Sequence, residues 1–546
     1  VTNAVNFVNG AVREATRSID AEACLAPPAQ ITMDGRSRGG WSVKEAPMSD
    51  IADLRTYQLG TSRPPLAVTD LPDPEEVFRV RRIGPRELFM YVLGPSMIAL
   101  GISIGSGEWL LGPQAVGQFG FVGVGWVILI SAVLQTFYNV ECSRYVVATG
   151  EVPVVGWGRV PPGYLLWVPF SVFLIIFAFI AGGWAASAGQ GVYALVHGKV
   201  APTGAEEPRL WAIALLVLVF LIAAAARRIS RTLELANWLM VGLILVALVL
   251  IDLFVVPFSL WWEGIRGFFT PAAPPAGITA TQLGGLAGFT ALASGLNWYV
   301  MGHYRDHGYG MGYRAGYISG LRGERRELLA NGVTFPDDAA NAQRWRRWYR
   351  LLLTDMWGVF FIGAMLGMLL PTILMAHAVD VSGQKPTAAS VPTFAATAFR
   401  PDYGSVMFYG ILLIGVLILF STQLGIFEAM VRVTTDAAHA TSPTLRRLIE
   451  GDPRRFYYPF MLVLLVIISV ILHLALPVEL IQWSANMSNL GALIYPFLLM
   501  YLNSRLPRPA RPRPWHYVLL VANVLFFGFF FINFIADFFG DPLVKF

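Results

Sequence analysis

Apolar residues run through this chain in eleven long windows, at positions 88–114, 121–147, 163–196, 210–226, 235–258, 283–303, 351–378, 403–431, 457–476, 480–503 and 515–538. A helix needs roughly 20 apolar residues to cross a bilayer, so the pattern predicts an all-α, polytopic membrane protein. The third and seventh windows are long enough to tilt or protrude. Two windows are interrupted. The first contains Gly101-Ile102-Ser103-Ile104-Gly105-Ser106-Gly107-Glu108, and the sixth contains Ala293-Ser294-Gly295-Leu296-Asn297-Trp298-Tyr299. Unwound backbone survives in hydrocarbon only where protein shields it or a polar cavity lies beside it, and an ionisable group at that depth marks a functional site.

Composition agrees with this class. Apolar residues make up 55% of the 546, charged residues only 14%, and the mean hydropathy is +0.57, where a soluble domain carries roughly 25% charged residues. The net charge of +5 therefore does not point to nucleic acid; the expected partners are a lipid bilayer and a small ion or solute. Cys24 and Cys142 give no disulfide or metal framework. No phosphate loop, nucleophile elbow or His-x-x-x-His spacing occurs, so an enzyme is not expected, nor is a permanently bound cofactor.

Basic residues set the expected orientation, because Lys and Arg resist translocation. One series of alternate loops holds Arg79 to Arg86, Arg144 and Arg159, Arg227 to Arg231, Arg305 to Arg350, Arg432 to Arg455, and Arg505 to Arg513. The other side has only Lys199, Arg209, Arg266, Lys385, Arg400 and Lys545. The N-terminus is expected in the cytoplasm and the C-terminus outside, in a cell membrane read as a bacterial inner membrane. Residues 1–84 are polar and lack a sustained period, which predicts a disordered cytoplasmic tail ahead of a membrane domain at 85–540. The chain opens on Val1, which makes Met48 an alternative start. Arg-rich 304–350, with Trp345, Trp348 and Tyr349, reads as an anchor helix along lipid headgroups, with a gating role as the alternative.

Gly295, between Ser294 and Asn297, repeats the first break five windows later. Transporters built from inverted halves place a discontinuous helix at the same position in each half. The spacing gives a LeuT-like architecture: repeat one at about 88–258, repeat two at about 283–503, broken helices one and six, and an extra helix at 515–538.

The stretch from Gly94-Pro95-Ser96 through Gly105-Ser106-Gly107-Glu108-Trp109 resembles the first span of the natural resistance-associated macrophage protein (Nramp) family of metal transporters, where a Gly-Pro opening is followed by Asp-Pro-Gly-Asn. Ala148-Thr149-Gly150 and Leu490-Gly491-Ala492-Leu493-Ile494-Tyr495-Pro496 are similar to further family motifs. The resemblance, from about Pro85 to Arg505, implies a divalent metal transporter of LeuT-like fold. Carried over by position, the family's metal-binding Asp falls on Gly105, its Pro on Ser106 and its Asn on Glu108, with Gly107 retained. Its Met-Pro-His falls on Ser294-Gly295-Leu296, and the third span has no acid.

Loss of the thioether removes the ligand that favours soft ions. The expected substrate site is therefore a hard one. It comprises Gly105, Ser106, Gly107, Glu108, Ser294, Gly295, Asn297, Asn486 and Asn489, with Glu108 and Asn297 as the metal ligands. Such a set suits partly hydrated Mg²⁺. The alternatives are a sodium- or proton-coupled organic solute carrier, or a transport-incompetent sensor or scaffold. Glu108 reads alternatively as a carboxylate satisfied by backbone amides or a neighbouring span. Gln423, Glu428, His303 and Asp306 are the expected gating or proton-pathway residues. Arg305-Asp306 reads alternatively as a pair fixing the glycine-rich turn at 308–312, and Glu141 as a partner of Arg144.

Overall fold

A computed structural model of the protein describes residues 65–88, 94–202, 204–225, 229–292, 294–317, 328–329, 331–473, 477–540 and 543–544. The expected tail up to residue 64 lies outside these residues, as do Ala293, Arg227, Arg228, Arg322, Arg325, Arg326 and Lys545.

Where described, every apolar window falls mainly on helix. Among the described residues eight helices have the length and apolarity to cross a membrane. The remaining windows are the first and sixth, both broken, and the tenth, Pro477–Asn503. The second span, Gly125–Thr149, stops at Gly150, whose φ of 65° ends the helix while its N–H reaches Val146 O at 2.7 Å. The third window is not one tilted helix but two, Tyr164–Phe179 and Gly183–His197, joined at left-handed Gly182. The fourth and fifth spans are Glu207–Ala225 and Ile229–Val255. A short helix, Phe258–Phe269, follows with Phe258, Trp262 and Phe269 exposed, the pattern of a helix lying in a membrane interface.

The seventh span is longer than its window. Helix Ala339–Leu353 runs through a π-helical stretch, Thr354–Phe361, into Ile362–Ser382. The eighth, Val391–Thr441, bends at Gly404. The ninth is Arg454–Ile471 and the eleventh Pro514–Phe538. The second and eighth spans are buried along most of their length, while the fourth, fifth and ninth present Leu221, Leu239, Leu243 and Val466 outward.

The expected tail and anchor helix both differ from expectation where they are described. Residues 65–78 are docked. Leu66–Ala67 pairs in parallel with Val333–Thr334, the one sheet among the described residues. Leu71 is fully buried and its N–H donates to Asn341 Oδ1 at 2.9 Å. Trp348 Nε1 donates to Pro72 O at 2.7 Å, and Phe78 packs on Trp348 and Tyr309. Trp345 and Trp348 are thus buried in protein rather than laid on headgroups. Segment 70–78 forms a strap across helix Ala339–Leu353, reinforced by ion pairs from Arg347 to Asp73 and Glu75.

Candidate functional site

Both helices expected to break do so. Helix Pro95–Ser103 ends at Ile104-Gly105 and restarts as a π-turn, Gly107–Leu111, that leads into Gly112–Phe119. Helix Ala280–Phe289 stops, and Leu296–His307 begins only after a stretch containing Ala291 (φ 66°) and Gly295 (φ 99°). The breaks meet backbone to backbone: a Cβ on Gly107 would lie 2.0 Å from the Phe289 carbonyl oxygen. On the other side, a Cβ on Gly105 would lie 2.1 Å from Thr422 Oγ1 of the eighth span. Glycine is what permits this approach.

Glu108 is completely buried in the first break. Its Oε1 accepts from Ser103 Oγ at 3.1 Å and its Oε2 from Gly105 N at 3.2 Å, while an Ala291 backbone bond brings in the second break. The carboxylate therefore replaces helical partners that the unwound amides have lost. Among the described residues its hydrogen-bond partners are these neutral groups, and no Lys, Arg or His pairs with it.

Beside it lies a cavity of about 230 Å³ of inter-atomic space, with central room for about one water molecule. Ser103, Ser106 and Thr422 supply hydroxyls to the wall; Trp184, Phe289 and Leu296 supply apolar surface. Trp184 is buried with its indole N–H unpaired. The cavity thus draws on both breaks and on the third and eighth spans.

The structure brings Gly105, Ser106, Gly107 and Glu108 together as expected but disperses the rest. Ser294 Oγ is buried against the tenth span, where a Cβ on Gly491 would come within 2.6 Å. Gly295 supplies the positive φ of the second break. Asn297 turns to the second span, its Nδ2 donating to Asn139 Oδ1 at 2.6 Å and Gln135 Oε1 at 3.3 Å. Asn486 and Asn489 donate to Thr281 O and Gly284 O, each at 2.9 Å, clasping the tenth span to helix Ala280–Phe289. Gly284 and Gly288 leave the room for those amides. The Nδ2 groups of these asparagines make interhelical bonds while their Oδ1 atoms are buried and unpaired, and Asn297 makes no bond to Glu108. Among the described residues no three His, Cys, Asp or Glu side chains gather to hold a metal ion.

Gln423 accepts from Ala185 N at 3.2 Å, tying the eighth span to the third. Glu428, His303 and Asp306 do converge, in a buried charge network with Arg305, Arg432 and Asp436. Arg305-Asp306 therefore does more than fix a turn. The pair Glu141–Arg144 forms at 2.9 Å and recruits His516. Sequence reasoning missed Trp184, Phe289 and Thr422; the adjacent Gly182-Gly183 was the available signal for a break near Trp184.

No family model matches the chain, and no curated protein matches it. Solved structures do. A manganese transporter from Eremococcus coleocola, in complex with an aromatic bis-isothiourea substituted compound, is 15% identical over 87% of this chain and 92% of its own, with a TM-score of 0.55. A mutant of that transporter gives 15% identity over 88% and 92%, with a TM-score of 0.52. MhsT in complex with L-phenylalanine gives 11% identity over 81% and 98%, with a TM-score of 0.51. This chain is a polytopic helical membrane protein with the LeuT-type fold those transporters share.

Proposed function

We propose that this chain is a secondary transporter that carries a small, hard cation by alternating access, with the ion held between the two breaks. The observation that carries this reading is Glu108: an acidic side chain bonded only to neutral groups among the described residues, buried where two interrupted helices touch, beside a cavity lined with hydroxyls. The structural neighbours, a manganese transporter and a protein solved with phenylalanine, support a transporter. The wall of this cavity holds hydroxyl and backbone oxygen and no sulfur, which suits hard ions such as Mg²⁺ or Na⁺ and gives soft Cd²⁺ no favoured ligand. One carboxylate also offsets little of the several kcal/mol needed to dehydrate an ion at membrane depth. A second reading, an organic solute coupled to sodium or protons, has Trp184, Phe289 and Leu296 in its favour.

Liposome flux and isothermal titration with Mn²⁺, Cd²⁺, Mg²⁺ and Na⁺ side by side test the reading. Flux of Mg²⁺ or Na⁺ is expected, abolished in Glu108→Gln with expression intact. Strong saturable Cd²⁺ binding would overturn the hard site, and no flux of any ion or organic solute would leave a scaffold. Normal flux in Glu108→Gln would remove that residue from the mechanism.

The proposed orientation puts the arginine-rich loops in the cytoplasm. A reporter inserted near Asn331 should report cytoplasm and one fused after Phe546 the outside. A cytoplasmic signal from the C-terminal fusion would refute it.

A further inference from the structure

The second half of the sixth span carries buried charge that the cavity does not use. Arg432 of the eighth span donates through Nε to Glu428 Oε1 and through Nη1 to Asp306 Oδ2, both at 2.8 Å. Arg305 donates through Nε to Asp306 Oδ1 at 3.1 Å and through Nη1 to Asp436 Oδ1 at 2.9 Å. Tyr457 of the ninth span donates to Glu428 Oε1 at 2.9 Å. All five charged side chains are buried. Among these five side chains three carboxylates meet two guanidinium groups, a surplus of one negative charge within the group, and buried charge is expensive in a membrane interior.

One turn before Asp306, His303 is buried with both ring nitrogens unpaired. Its Nε2 stands 3.7 Å from Glu428 Oε2, an oxygen also unpaired. Two orphan atoms of complementary chemistry thus face each other across the boundary between the sixth and eighth spans. We propose that His303 and Glu428 form the binding site of a coupling proton. A proton on the imidazole turns that gap into a charge-assisted N–H···O bond. It also offsets the surplus negative charge of those five side chains. Arriving from water on one side, the proton adds a bond that holds the cytoplasmic half of the sixth span to the eighth. Its departure to the cytoplasm removes the bond, restores the negative charge and loosens that half.

The groups facing His303 are Tyr299, Arg305 and Asp306 on its own helix, Glu428, Arg432 and Asp436 from the eighth span, and Tyr457 beyond them. Both arginines stay charged throughout, so the imidazole is the basic member whose charge can change. The proposal rests on the transporter reading for what the proton drives, but its test needs no solute.

The test uses Ala440→Cys in a Cys24→Ser, Cys142→Ser background. Ala440 is buried beside Arg305, Asp436 and His439, on the side of the network that the proposed orientation turns to the cytoplasm. A membrane-impermeant maleimide added from that side reports opening as labelling rate, in liposomes, from about pH 5 to 8, where imidazole titrates. Divided at each pH by the rate for a free cysteine-containing peptide, which removes the thiolate's own pH dependence, labelling should slow as pH falls, by up to about tenfold per pH unit for one linked proton. His303→Gln and Glu428→Gln should each flatten the profile. His439→Gln should retain it, and Tyr457→Phe should raise the rate at every pH while keeping the slope. If His303→Gln does not elute as a single species, Glu428→Gln reads the same site from the eighth span. A normalised rate independent of pH with His303 and Glu428 intact, or an unchanged normalised profile in either Gln variant, would overturn the proposal. Flux without pH-dependent opening would sink only the proton site, and pH-dependent opening without flux only the transporter reading.

Discussion

Glycine at 107 has no substitute with a side chain, because the space where a Cβ would go is occupied by a carbonyl oxygen that cannot rotate away. Gly107→Ala is expected to cost about 1–3 kcal/mol as an overpacked site, read as a lower melting temperature in detergent, whereas at Gly242, which meets nothing within 4 Å, the same change should be near neutral. At this scale the sequence was half legible. The glycines and Glu108 announced the first break, since only unwound backbone explains them at that depth. Their counterpart, Phe289, is an ordinary apolar residue and carries no mark of its role. Asn486 and Asn489 were legible as buried amides but not as clasps, because Gly284 and Gly288, which admit them, lie far back along the chain. His303, Asp306 and Glu428 were each visible, yet Arg432, which joins the acids, comes from a different span than the histidine.

Helices whose stability comes from a distant partner are the elements that pattern reading misplaces. The strap at 70–78 has no apolar period of its own; it is ordered by Asn341 and Trp348 of a helix far along the chain. Trp348→Phe, which deletes one neutral hydrogen bond worth about 1 kcal/mol, should expose residues 65–80 to limited proteolysis. Arg347→Ala should do much less, since half-exposed ion pairs contribute about 0–1 kcal/mol. The same helix starts on Asp338, whose carboxylate accepts from Asn341 N at 2.7 Å and is held below the ordinary aspartate range by that bond. The cap therefore contributes fully above the ordinary aspartate value and is lost as pH falls through the lower folded one. Proteolysis of the strap should rise below about pH 4, and Asp338→Asn should blunt that rise. Gly182 and Gly404 escaped notice because continuous apolar sequence surrounds them, and hydropathy is blind to a bend.

Across the whole molecule, burial separates spans that the sequence alone treats alike. The eleven windows look equivalent in apolarity, but the second and eighth are enclosed by protein, whereas the fifth turns Leu239, Leu243 and Val246 outward. Leu243→Arg, near the middle of that lipid-facing surface, should disfavour insertion by about 2.5–3.5 kcal/mol, measured with a glycosylation-tagged insertion assay. The strap also has a mechanical meaning. It grips the base of a helix that continues, through its π-helical stretch, from Ala339 to Ser382. At 44 residues that helix is more than twice the roughly 20 residues a bilayer needs. An antibody fragment grasping residues 70–78 would load one end of it at a distance from the cavity between the breaks, so altered solute flux on binding is the expected sign that the two ends move as one.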